Sequence, residues 1–179
     1  MSKRILIVVV AVVAVVATGM ASDTAYGGNI PINWKVSGTI ANVNFYPSTN
    51  PADPQPGLLI QAAVKGSPGN GQFTITSIAD PFNPSLTECG GGPGQTFAHN
   101  DMVVTLDELS MIFAKLDEGW VCFNADYTVS AEAHMIITGG TGKYEGASGY
   151  FTGTFLGQSV GTSGFLAAET GTIVGEIHR

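Results

Sequence analysis

Residues 127–138, Tyr-Thr-Val-Ser-Ala-Glu-Ala-His-Met-Ile-Ile-Thr, alternate between apolar and polar side chains almost without a break. Tyr127, Val129, Ala131, Ala133, Met135 and Ile137 fall on one side of an extended chain. Thr128, Ser130, Glu132, His134 and Thr138 fall on the other, and Ile136 is the single exception. A period of two over this length marks a strand with one face on a core and the other outside. The Tyr127 face is the more apolar, so it should supply the interior and leave Glu132 and His134 outside. Nowhere does the chain show a capped stripe with a period of 3.6, so helix content should be low.

The remaining segments agree with an all-β reading. Residues 32–45 form a β-prone run, with an irregularity near Asn42, and 46–57 carry four prolines and read as a loop. Residues 58–65 and 72–79 flank the turn-forming Gly66-Ser-Pro-Gly-Asn-Gly71, which predicts a hairpin. A loop over 80–95 follows, then short strands over 102–106, 111–116 and 120–123, with Asp117-Glu118-Gly119 as a three-residue connection. Thr152-Gly-Thr-Phe-Leu-Gly157 is echoed by Thr170-Gly-Thr-Ile-Val-Gly175. Periodic glycines of this kind let a sheet curve tightly. The expectation is a small antiparallel β-barrel of about eight strands, since closure removes exposed edges.

The N-terminus sets the compartment. Lys3 and Arg4 precede an unbroken apolar run over 5–17, and Gly19-Met20-Ala21 offers small residues before Ser22. That run is shorter than the roughly twenty residues a membrane span needs. Residues 1–21 therefore read as a cleaved signal peptide, with an uncleaved N-terminal anchor as the alternative, 22–33 as an N-terminal extension and 34–179 as the barrel domain. The expected localisation is secreted or periplasmic, with no membrane association after cleavage. Beyond residue 21 the chain has Lys35, Lys65, Lys115, Lys143 and Arg179 against fourteen acidic residues. A field of about −9 repels nucleic acid. Cys89 and Cys122 are the only cysteines. In an oxidising compartment an even pair predicts a bridge, closing about 34 residues and contributing about 3.5–4 kcal/mol in the chain-entropy account. The alternatives are two buried thiols or one reactive thiol.

The run Gly139-Gly-Thr-Gly-Lys-Tyr-Glu-Gly146 invites a phosphate-loop reading, which fails because Tyr144 follows Lys143 and no helix comes next. Gly139, Gly140, Gly142 and Gly146 instead read as a structural turn, with Tyr144 as a plug. Residues 139–155, GGTGKYEGASGYFTGTF, resemble the glycine motif of plant dirigent proteins and of allene oxide cyclases. The resemblance implies an eight-stranded antiparallel barrel over about residues 34–178 and assembly into homo-oligomers through outer faces. It also implies an apolar lumen, used by the dirigent family to guide radical coupling and by the cyclases to close a fatty-acid-derived epoxide. No catalytic residue of those families aligns here, and the only Arg after residue 21 is Arg179, at the chain end.

Glu132 and His134 are the weak catalytic candidates, an acid and an imidazole two residues apart on one face. A solvated face or a subunit interface accounts for them as well. Trp34, Trp120, Tyr127 and Phe151 are the aromatic candidates for lining an apolar or carbohydrate site, against core packing as the default. His99 and His178 read as surface residues. The acidic residues match no calcium-loop spacing, and no motif calls for a metal or cofactor.

Three functions remain: a non-catalytic binding module for a small apolar or sugar ligand, an isomerase or cyclase acting on a hydrophobic substrate, and a structural protein of the cell exterior. Fold alone does not choose among them. The exported protein should begin at Ser22, and intact mass from the native host tests this; retention of residues 1–21 would refute cleavage.

Overall fold

The computed structural model describes residues 28–45, 55–106, 109–159 and 166–179. The signal segment, residues 22–27 of the extension and residues 46–54 of the loop lie outside the described residues. Nine strands follow in chain order: β1 (Ile30–Phe45), β2 (Gln55–Ser67), β3 (Gly71–Ala79), β4 (Asn83–Leu86), β5 (Gly92–Leu106), β6 (Met111–Phe123), β7 (Thr128–Gly140), β8 (Ser148–Ser159) and β9 (Leu166–His178). Eight of them close an antiparallel barrel, with β3 pairing β5 and β9 returning to β1. The short β4 is a spur on β5. The helical structure described includes two three-residue 3₁₀ turns, Thr87–Cys89 and Gly142–Tyr144.

The two echoing segments turn out to be neighbours. β8 and β9 pair so that Phe151 faces Gly175, Gly153 faces Ile173, Phe155 faces Gly171 and Gly157 faces Glu169. Each of these four pairings thus sets a larger side chain against a glycine on the next strand. The fit is tight: a Cβ on Gly175 would lie 2.6 Å from the Phe151 Cβ, and one on Gly171 would lie 2.8 Å from the Phe155 ring. Interleaving large and small residues in this way fills a small barrel without overpacking it.

Inside, Ile32, Trp34 and Val36 meet Val64, Phe73, Ile75, Met102, Val104, Ile112, Met135, Phe151 and Ile173 in one core. Burying a side chain of this size is worth about 1.5–3 kcal/mol. The Trp34 indole N–H donates to the Gly69 carbonyl at 2.8 Å, which satisfies its one donor. Tyr144 is buried beside this core, at the end of the barrel where β9 finishes and β8 begins.

Several expectations need correction. β1 begins at Ile30, two residues before the run read from the sequence, because Ile30 and Pro31 already pair with β9. Asp117-Glu118-Gly119 is no turn: β6 runs through it with a bulge between Leu116 and Glu118. The extra residue reverses the alternation, so Gly119 and Val121 are buried, whereas Trp120 and Cys122 point outward. That outward Cys122 bonds Cys89, whose Cα is 5.5 Å away. Tyr127 precedes β7 in a turn, with φ of 64°, and is 87% exposed.

The glycine turn behaves as a structural element for two different reasons. Gly142 has φ of +59°, and a Cβ there would also meet Ser110 Oγ at 2.7 Å. Gly140 does not have the positive φ that a tight turn suggested; a Cβ on it would lie 2.4 Å from the Met111 carbonyl oxygen. Gly140→Val and Gly142→Val are each expected to cost about 2 kcal/mol or more. Lys143, whose ammonium lies 5.6 Å from the Tyr144 ring centroid, should cost no more than about 1 kcal/mol on change to Ala. Thermal unfolding of the three variants checks the order; a Lys143→Ala loss exceeding both glycine losses would reverse it.

Candidate functional site

The sequence candidates do not converge on one place. Trp34 and Phe151 are packed into the core, Trp120 is on the outer surface and Tyr127 is in an exposed turn. The β6 bulge explains Trp120, and the late start of β7 explains Tyr127. Glu132 and His134 lie on the outer face, as the apolar bias of the opposite face implied, while Ala133, Met135 and Ile137 are buried.

Those two residues do form a local arrangement. The carboxylate Oε1 of Glu132 is 2.9 Å from His134 Nε2, and Thr152 Oγ1 is 3.2 Å from His134 Nδ1. The Trp120 ring covers the imidazole at 5.9 Å between centroids. A hydroxyl, an imidazole and a carboxylate in series are the elements of an activated nucleophile. Acyl chemistry also needs donors aimed at a developing oxyanion. Here the surrounding backbone N–H groups belong to strands paired on both sides, β6 with β7 and β7 with β8. The row therefore works as a hydrogen-bonded surface pair shielded by an indole.

A different set lies inside the barrel. Glu169, Ser77 and Asn100 are buried, and Glu169 is only 3% exposed. Among the described residues, Glu169 Oε2, Ser77 Oγ and Asn100 Oδ1 find no hydrogen-bond partner. Ser77 and Asn100 face each other across β3 and β5. Glu169 stands near the start of β9, between Gly38 on β1 and Gly157 on β8. Strand register sets all three toward the end of the barrel remote from Tyr144.

This set was readable but overlooked. Counting back by twos from Ile177 gives Gly175, Ile173, Gly171 and then Glu169, so the acid stands in the inward row.

An unpartnered carboxyl in this setting resists ionisation. Burial alone pushes the Glu169 pKa up to about 7. The inward side chains of the flanking strands are Val36, Gly38 and Ile40 on β1 and Phe155 and Gly157 on β8. None of these titrates, and neither do Ser77 and Asn100 across the lumen. The outer surface shows the opposite case: His178, 2.9 Å from Glu176, holds that carboxyl below its ordinary value.

The interior acid makes stability depend on pH in a defined direction. Between the ordinary value of 4.5 and about 7, the unfolded chain has lost the Glu169 proton that the folded chain still holds. The fold therefore loses stability from this group as pH rises through that window, by about 3 kcal/mol in all, and the loss levels off above it. Glu169→Gln removes the effect. Relative to the parent, the variant should gain about 3 kcal/mol between pH 4 and pH 8 in urea unfolding. A difference that stays flat with pH would show that Glu169 titrates normally.

No family model matches this chain, and no curated protein does. Among solved structures it is similar to pyocyanin demethylase, at 15% identity and a TM-score of 0.37, over 79% of this chain and 99% of that one. It is also similar to a pterocarpan synthase dirigent protein, at 16% identity and a TM-score of 0.42, over 85% of this chain and 86% of the other. The barrel itself is established by the chain's own strand pairing.

Proposed function

We propose that this chain is an exported barrel protein that holds a small, mainly apolar molecule at the Glu169 end of its lumen. One observation carries the reading: Glu169, Ser77 and Asn100 are buried in an apolar interior with oxygens that no group among the described residues satisfies. Each unsatisfied buried polar group costs about 1–3 kcal/mol, and a carboxyl more. A Leu or Val at each position would avoid that cost, so the oxygens are better explained by a partner from outside the chain. A site with apolar walls and a few convergent polar groups is the ordinary build of a small-molecule site.

A second reading has its own support. A carboxyl whose pKa is pushed up to about 7 is matched to proton transfer near neutral pH, which favours an isomerase or cyclase over a passive carrier. Binding is common to both readings and is tested first. The neutral fluorophore N-phenyl-1-naphthylamine should brighten on titration with the protein. Widening the apolar wall with Phe155→Ala should alter its affinity at least threefold, whereas Glu132→Gln on the outer face should leave it unchanged. Failure of the probe and of neutral alcohols alike to bind the folded protein would remove the lumen from consideration.

A further inference from the structure

Resting on that reading, we infer that the lumen selects ligands by charge: it takes an apolar molecule carrying a hydrogen-bond donor, a protonated amine above all, and turns away carboxylate amphiphiles. The argument begins with the chemistry of the unpartnered atoms. Glu169 Oε2 and Asn100 Oδ1 are acceptors, and Ser77 Oγ is a hydroxyl that can act either way. A ligand that pairs with this set must bring donors.

The distribution of cations gives the second line. Lys35, Lys65, Lys115, Lys143 and Arg179 are all exposed on the outside of the barrel. The three histidines each sit beside a carboxylate: His99 with Asp101 at 2.8 Å, His134 with Glu132 at 2.9 Å and His178 with Glu176 at 2.9 Å. Among the described residues, therefore, no basic side chain points into the lumen. An anionic head group brought to Glu169 would be desolvated beside an acid with no counter-charge to meet it. An ammonium there would gain a charge-assisted hydrogen bond and would draw the carboxyl into its ionised form.

Three eight-carbon probes of matched length separate the possibilities: n-octylamine, 1-octanol and sodium octanoate, titrated calorimetrically at pH 8 into the parent protein, Glu169→Gln and Glu132→Gln. Octylamine should bind at least tenfold more tightly than octanol, and octanoate at least tenfold more weakly. Glu169→Gln should abolish the amine preference while retaining octanol binding, and Glu132→Gln should change none of the three. Octanoate binding as tightly as octylamine would overturn the charge selection, as would an amine preference that survives Glu169→Gln, while octanol binding would leave the lumen reading standing. Binding of none of the three by the folded protein would overturn both.

Discussion

The interlock between β8 and β9 is the constraint on which the rest of the barrel depends. Phe151 against Gly175, Ile173 against Gly153 and Phe155 against Gly171 put bulk and emptiness in alternation along one seam. Two adjacent strands that both carried large inward residues would overfill a lumen only eight strands around. Two that both carried glycine would leave voids costing about 1 kcal/mol or more for each missing methyl-sized group. The repeated Thr-Gly-Thr sequences are offset by the antiparallel pairing so that neither happens. Their threonines point outward, where Thr154 and Thr172 share a hydrogen bond at 3.0 Å.

The same seam contains the place where the fold is least well served. At the fourth pairing, Gly157 faces an acid instead of an apolar side chain. A domain of this size has a net stability of about 5–15 kcal/mol, so a buried carboxyl that gives up about 3 kcal/mol above neutral pH is a substantial concession. The core around Trp34, Phe73, Phe151 and Tyr144 offsets it at the opposite end, where the polar groups of Trp34 and of the glycine turn do have partners. One end of the barrel is built for stability, and the other carries unpaired oxygens. Stability given up locally in this manner is what functional sites commonly show.

How much of this the sequence revealed depends on whether a local rule stayed in phase. The alternation over β7 correctly put Glu132 and His134 outside, because Ala133, Met135 and Ile137 kept step through the entire strand. The hairpin of β2 and β3 and the pairing of Cys89 with Cys122 followed from turn chemistry and from an even cysteine count. Phase failed in β6, where a bulge moved Trp120 from the lumen to the surface, and a Gly after two acids looked like a turn. It failed again at Tyr127, whose positive φ removes it from the strand its hydrophobicity seemed to begin. The start of β5 was hidden by Gly92-Pro93-Gly94, residues that usually break strands. Glu169 is hidden for another reason: a carboxylate in a β-prone run ordinarily marks the exposed face, and only the period-two count from Ile177 puts it inside.

The contrast between the outer and inner polar residues locates the chemistry. Outside, each histidine has a carboxylate two residues away on its own strand face, and Glu176 also accepts from the Asn29 side-chain amide at 3.0 Å. Such hydrogen-bonded pairs contribute about 1 kcal/mol or less when exposed, and each partner is accounted for by the other. Inside, Glu169, Ser77 and Asn100 could have been satisfied by a single well-placed amide or hydroxyl from a neighbouring strand, yet the adjacent inward positions are glycine, isoleucine and phenylalanine. Polar groups that repel their own fold and have been given no internal partner make physical sense only if something else completes them. The proposed ligand is therefore assigned to the lumen and not to the more conspicuous Glu132–His134 pair.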